Sequence, residues 1–223
     1  MISRRLKAAF YKSMALPMAA NAVIYKQFRA PRSGLVKVHL GPGQKKYLDG
    51  WVNLDSNFIS AKIDVWANIE QGLPFRDGTV DAFYSHHVIE HFADSRLPWH
   101  FREIYRCLKP GGVFRVGGPN GDSACKKFIE QDSAWFDDYP EKRQSIGGRF
   151  ANFILCKGEH FTILTESYLR EILTPIGFAD LHPCKPVSET AYPQIFDQQL
   201  RDKEYESTPE VPHTLLLEGR KPA

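Results

Sequence analysis

The sequence predicts an α/β protein: a mainly parallel sheet of seven strands with helices on both faces, preceded by a helical N-terminal extension. Three observations lead there. From residue 35 onward, short runs of Val, Ile, Leu and aromatic residues alternate with stretches of helical periodicity, the pattern of strand–helix–strand units. The first of these runs ends in Gly41-Pro42-Gly43, a turn through which backbone can approach a ligand closely because glycine lacks a Cβ. A chain of 223 residues, 43% hydrophobic and 25% charged, can bury one sizeable core, which excludes collagen-like, low-complexity and disulfide-stapled classes.

Residues 3–29 read as two helical pieces. Leu6, Phe10 and Met14 share one face; Pro17 suits the first turn of the second piece, and Ala22, Tyr25 and Phe28 form its apolar side. Residues 30–34 are a linker, dividing a basic arm (1–33) from a domain (34–223). Strands are expected at 35–40, 51–54, 63–66, 80–84 and 113–117. An amphipathic helix over 95–108 carries Leu97, Phe101, Ile104, Tyr105 and Leu108, and stops at Lys109-Pro110-Gly111-Gly112. Residues 120–160 are irregular, with polar helix signals. Thr165 and Glu166 open a helix that ends before Gly177. Residues 178–185 and 213–218 read as an antiparallel hairpin, and 186–212, rich in Pro, Gln and charge, as a surface loop that, with 120–160, forms the expected substrate-side insertions.

The net charge of +3 is unevenly distributed. Residues 1–48 hold ten Lys/Arg and no acid, whereas the other 175 hold 19 Lys/Arg against 26 Asp/Glu. A basic arm on an acidic body points to an anionic partner, a surface or a targeting segment. Cys107, Cys125, Cys156 and Cys184 form no CxxC pair, which fits reduced thiols and a cytoplasmic setting. The longest nearly apolar stretch, 14–25, is too short to span a membrane.

An acid ends the second strand. Asp55 suits the paired hydroxyls of a ribose, two donors matched to one carboxylate, and equally a turn or helix cap. At the carboxyl edge of a parallel sheet, beside a glycine turn, the pair marks a nucleotide-like site.

The motifs 36–43 (VKVHLGPG), 50–55 (GWVNLD), 73–81 (LPFRDGTVD), 85–92 (SHHVIEHF) and 108–112 (LKPGG) follow in order, with a looser match over 160–178. This series resembles the class I S-adenosylmethionine-dependent methyltransferases, methyltransferase-11-like and nearest the group found among surface-polysaccharide and natural-product genes. The resemblance implies a Rossmann-like fold and S-adenosylmethionine as cofactor, leaving S-adenosylhomocysteine. It places Gly41 and Gly43 against the methionine and ribose, and Asp55 on the ribose. Asn68 falls at the adenine amine, where an Asp is usual, with Ile69 beside the ring; Ser85 and His86 fall at the methionine end. Pro42 departs from the small residue usual there and removes one backbone donor.

The implied activity is methyl transfer to oxygen or nitrogen of a small molecule or glycan. A hydroxyl acceptor needs a base, and histidine suits that near neutral pH. His86, His87 and His91 cluster after the fourth strand; a helix over 87–91 would put His87 and His91 on one face, with His160 joining from the second half. His87, His91 and His160 are therefore the catalytic candidates, with packing or capping the plain alternative. His87-x-x-Glu90-His91 also spells an inverted zinc-protease motif, which its place after a sheet strand rejects. Some methyltransferases resembling this one bind a divalent ion at Glu-x-x-Glu-His plus a later His. Here His87 stands in place of the first Glu, Glu90 and His91 follow, and His160 could supply the later His, but the reading without metal is preferred. Metal-assisted methylation of an RNA end or catechol-like diol, and a non-catalytic cofactor-binding scaffold, are the alternatives.

Trp135, Phe136, Asp137, Asp138 and Tyr139, with Arg143, Arg149 and Lys157, read as a substrate-side cover or, equally, a packed lid core. The arm reads as a cover over the site or a homodimer contact, then as an anionic-membrane anchor, then as a transit peptide. With an acidic body and no RNA-binding module, nucleic acid is disfavoured as a partner.

Overall fold

The computed structural model describes residues 10–223. Arg4, Arg5, Leu6 and Lys7 of the expected first helical piece lie outside the described residues. Seven strands form one sheet: β1 (Lys37–Leu40), β2 (Val52–Asp55), β3 (Val65–Trp66), β4 (Val80–His86), β5 (Leu108–Pro119), β6 (Ala179–Cys184) and β7 (Thr214–Arg220). Their order is β3-β2-β1-β4-β5-β7-β6; β7 runs antiparallel to both β5 and β6, and the remaining pairs are parallel. The order reverses between β1 and β4, so their carboxyl ends frame the crevice where ligands of such sheets bind.

Alternation along the strands sends two residue sets to two faces. Val38, Leu40, Phe83, Phe114 and Val116 join the main core with Phe101 and Ile104 of α2 (Leu97–Cys107) and Leu169 and Leu173 of α5 (Glu166–Ile176). The cap of α5 is the one the sequence predicts: Thr165 Oγ1 accepts from the Tyr168 N–H at 3.3 Å, and Gly177 follows in the left-handed region at φ +107°. On the first face, α1 (Ala15–Ile24) and the helical turn Tyr25–Arg29 also pack, through Ala22 and Tyr25.

The second face differs from expectation. The connections over 41–51 and 56–64 contain no helix, so this face needs another cover. It comes from 186–212, whose Phe196 and Leu200 (in α6, Gln198–Arg201) pack on Leu48, Trp51, Ala82, Tyr84 and Val113. The segment is thus a pinned layer of the protein and not a surface loop. Arg115, on β5 and fully buried, does the pinning. It binds both oxygens of Glu204, at 2.6 and 2.8 Å, and reaches Glu218 of β7 at 2.6 Å. Glu204 in turn accepts from the Val187 N–H at 2.9 Å, and Glu218 from the Ala191 N–H at 2.7 Å.

Three strands outrun their expected limits by two residues or more, β7 by reaching Arg220. β4 continues to His86, and β5 begins at Leu108, which pairs with Val80 of β4, while Gly111 and Gly112 bond with Lys221 beyond β7, each bond 2.9 Å. The insertion 120–160 holds α3 (Gly121–Ile129) and α4 (Ile146–Leu155), with its own small core around Trp135 and Phe136. No helix among the described residues is long and apolar enough to cross a membrane. None of the four cysteines is in a disulfide.

Candidate active site

The glycine turn leaves β1 with Gly41 at φ +67° and Gly43 at φ +55°, both left-handed, where a side chain is strained. A Cβ at Gly41 would also stand 2.4 Å from Val88 Cγ2, whereas one at Gly43 meets nothing within 4 Å. Gly43 thus faces open ground that a ligand can reach. Its N–H donates to Asp55 Oδ2 at 3.2 Å, and the Asn57 N–H to Oδ1 at 2.9 Å. The carboxylate at the end of β2 is oriented by backbone and keeps further lone pairs for hydroxyl donors. Tyr11 sits close by: burial, then the charge of Asp55, raise its phenol above the ordinary value. Phe10 meets Phe58 with ring centroids 6.1 Å apart. The start of the described chain therefore lies over the Asp55 corner.

Asn68 also has a local role: its Oδ1 accepts from the Glu70 N–H at 2.9 Å and caps the short turn Ile69–Gln71, which leaves the amide oxygen one further lone pair. Ile69 is partly buried against the main core.

The end of β4 carries an unusual concentration of unsatisfied polar atoms. Ser85 Oγ, His86 Nε2 and Glu90 Oε2 are buried and have no hydrogen-bond partner among the described residues. Buried polar groups are nearly always paired, so three such atoms within six residues mark a place where an outside group completes the bonding. His86 Nδ1 faces Lys46 Nζ at 2.8 Å. Burial, with the neighbouring His87 and Lys46, holds its pKa well below the ordinary value, so the ring is neutral, accepts from Lys46 and carries its proton on Nε2.

His87 breaks the expected helix. It adopts φ +58°, its N–H donates to the Gly117 carbonyl at 2.8 Å, and only a short turn, Ile89–His91, follows. His87 and His91 therefore share no helix face, and the helical geometry of a zinc-protease motif is absent. They meet through the carboxylate between them instead. Glu90 Oε1 is 3.2 Å from His87 Nδ1 and 3.9 Å from His91 Nε2. Burial opposes ionisation of Glu90, but the His87 hydrogen bond and the charges of His87 and His91 outweigh it and hold the carboxyl below its ordinary value. His87 Nε2 lies 3.3 Å from Thr214 Oγ1 on β7.

His160 does join the cluster, its ring centroid 5.1 Å from that of His91. His91 Nδ1 lies 2.9 Å from the Glu159 carbonyl and His160 Nδ1 lies 3.1 Å from that of Ile154. A carbonyl only accepts, so both Nδ1 atoms carry protons and each Nε2 is left to accept in the neutral ring. Burial lowers the His160 pKa below its ordinary value. Donor atoms of Glu90, His91 and His160 all lie within 4.8 Å of one another.

These histidines line a cleft of about 600 Å³. Its opposite wall comes from the insertion (Asp137, Tyr139, Phe153) and from 203–207, with His213 at the base of β7. The cations expected to reach a substrate from the insertion do not. Arg149 binds Asp138 at 3.0 Å, Lys157 binds Glu141 at 3.1 Å, and Arg143 also pairs with Glu141, so they brace the insertion internally. The cleft's ammonium groups are Lys46 and Lys203 instead. Lys46, Glu204, Glu206 and His213 escaped the sequence reading. The one available signal was a charge in each of two strands, Arg115 and Glu218, at positions whose neighbours are all apolar.

Residues 51–116, from the start of β2 into β5, match the family model described as a methyltransferase domain. No curated protein matches the sequence. Among solved structures, phosphoethanolamine N-methyltransferase 2 of Haemonchus contortus, in complex with phosphomonomethylethanolamine and S-adenosylhomocysteine, is similar over 92% of this chain at 16% identity and TM-score 0.52. The match covers 53% of that enzyme, so the chain spans about half its length. A SAM-dependent methyltransferase from Archaeoglobus fulgidus is similar over 95% of this chain and 100% of its own, at 15% identity and TM-score 0.51. A possible histamine N-methyltransferase from Thermotoga maritima is similar over 96% and 95%, at 16% identity and TM-score 0.51. The methyltransferase-domain match thus falls on β2 to β5 at the heart of the sheet, and the solved structures share the fold of the whole chain.

Proposed function

We propose that the protein moves a methyl group from S-adenosylmethionine to an oxygen or nitrogen of a small polar acceptor, a free molecule or a glycan unit. One observation carries the reading. The open glycine turn after β1 and the backbone-oriented Asp55 at the end of β2 lie at the same carboxyl edge of the sheet as the turn after β4, where two histidines with Nε2 available to accept line the cleft.

S-adenosylmethionine supplies an activated methyl on a sulfonium. Asp55 accepts the ribose hydroxyls, Gly43 lets the cofactor approach, and Ser85 Oγ and His86 Nε2–H serve its methionine end. The protein's main task is to hold the acceptor in line at about 3–3.5 Å, an orientation effect worth up to roughly 7–11 kcal/mol. For a hydroxyl acceptor, His160 Nε2 takes the proton, assisted by His91; His87 positions Glu90 behind them. Tyr139 and Phe153, with Asp137 and Glu206, offer the mixture of flat faces and acceptors that suits a polyol such as a sugar. Calorimetric titration with S-adenosylmethionine and S-adenosylhomocysteine tests the proposal; folded protein that binds neither overturns it.

A second reading rests on the Glu90–His91–His160 cluster. Histidines whose Nδ1–H is tied to a carbonyl present Nε2 to a metal, and a carboxylate completes the set. A divalent ion there would assist acceptor deprotonation. Elemental analysis of purified protein, with the effect of chelator on turnover, separates the two readings.

A further inference from the structure

The inner face of α1 is tied to the domain. Met18 is 2% exposed, Asn21 Nδ2 donates to the Trp66 carbonyl at 2.8 Å, and Tyr25 packs edge-on to Phe75 with centroids 5.8 Å apart. The outer face is not covered by any of the described residues. Leu16 is 83% exposed and Val23 60%, two turns apart on one side of α1, and Ile24 (47%) and Phe28 (82%), four residues apart, widen this stripe around the helix toward its end. One exposed apolar residue is ordinary, whereas a stripe of them marks a contact surface.

The charge around the stripe selects the partner. Lys12 stands exposed at one end and Arg29 and Arg32 at the other. The first acid in the chain is Asp49. On the domain beside α1, Asp77 and Glu103 are both held by Arg106, at 2.6 and 2.8 Å. Cations at both ends of an apolar stripe suit a flat anionic layer met along the whole helix, with apolar side chains entering the boundary between headgroups and acyl chains. The rest of the chain, with its excess of acids, is repelled by such a layer, which turns α1 toward it.

We propose that the outer face of α1 docks on an anionic phospholipid surface. The test is sedimentation of the full chain with vesicles of phosphatidylcholine, alone or mixed with phosphatidylglycerol. Partition into the phosphatidylglycerol vesicles only, reversed by salt, is expected. Leu16→Ser with Phe28→Ser lowers partition at least about tenfold. Arg29→Ala and Arg32→Ala each lower it about fivefold. Both sets lie on exposed side chains, and an unchanged circular dichroism spectrum checks their folding. Absence of binding, or equal binding to neutral and anionic vesicles, overturns the proposal. So does light scattering in which the apolar substitutions dissociate a dimer while vesicle binding stays unmoved. Cofactor titration is a separate readout, so either proposal can fail alone.

Discussion

His213 lies flat on Trp135, ring centroids 4.1 Å apart and planes 13° from parallel. Both of its nitrogens face acceptors: Nε2 is 2.6 Å from the Trp135 carbonyl, and Nδ1 is 3.1 Å from Glu206 Oε1. The contact fastens the insertion to the start of β7 across one side of the cleft.

This contact makes the insertion's attachment pH-dependent. Burial opposes protonation of His213, but Glu206 and the Trp135 carbonyl outweigh it and raise its pKa above the ordinary 6.5. Burial likewise opposes ionisation of Glu206, yet His213 and two backbone donors hold it below 4.5. The histidine's contribution is full below pH 6.5 and is lost as pH rises through the raised value. The carboxylate's is full above 4.5 and is lost as pH falls through the lowered one. Protease nicking within 130–158 should therefore be slowest between these limits and faster toward pH 8. In His213→Phe, which keeps the stacking and loses both polar contacts, that pH trend should vanish.

Asp55→Ala should weaken S-adenosylhomocysteine binding about tenfold to a hundredfold, the worth of hydrogen bonds to a charged group. Calorimetry reads this directly. Asp55→Asn should retain part of the affinity, because the amide keeps one acceptor.

His160→Gln should lower kcat on a hydroxyl acceptor by about 10²–10⁴ while leaving cofactor affinity near the parent value. Single-turnover transfer of labelled methyl measures the chemical step. An acceptor amine that is already neutral should feel the substitution far less, which distinguishes oxygen from nitrogen chemistry.

Arg115→Leu should be severely destabilising, since it strands Glu204 and Glu218 as buried charges without their partner. Breaking such a cluster costs about 3–5 kcal/mol. For a chain of this size that is a fall in Tm of roughly 10 °C, measurable by calorimetry.

The parts of the fold legible in the sequence are those where local chemistry and global position agree. Thr165 and Gly177 delimit a helix by side-chain capping and by a left-handed backbone, and both do so in the structure. The glycine turn and Asp55 are readable for the same reason: they end adjacent parallel strands. His87 was visible as a residue but not as a left-handed break, because a helix over 87–91 satisfies the same spacing. The covering role of 186–212 was hidden, since Phe196 and Leu200 are isolated among polar residues and their burial follows from two helices missing elsewhere. Asn68 shows the reverse case. Its motif position is readable, while its use as a cap depends on the turn that follows.

Glu204 and Glu206 are two residues apart and answer to different parts of the molecule, one to Arg115 within the sheet and one to His213 beneath the insertion. The short stretch between them is a rivet through the acceptor wall. The wall's distance from the histidines is therefore set by the sheet's own geometry and not by loop length. Stretches of 186–212 that make neither these bonds nor the Phe196 and Leu200 packing can drift in sequence without resizing the cleft, whereas a change at Arg115, one contact behind the cleft lining, shifts what the cleft will admit.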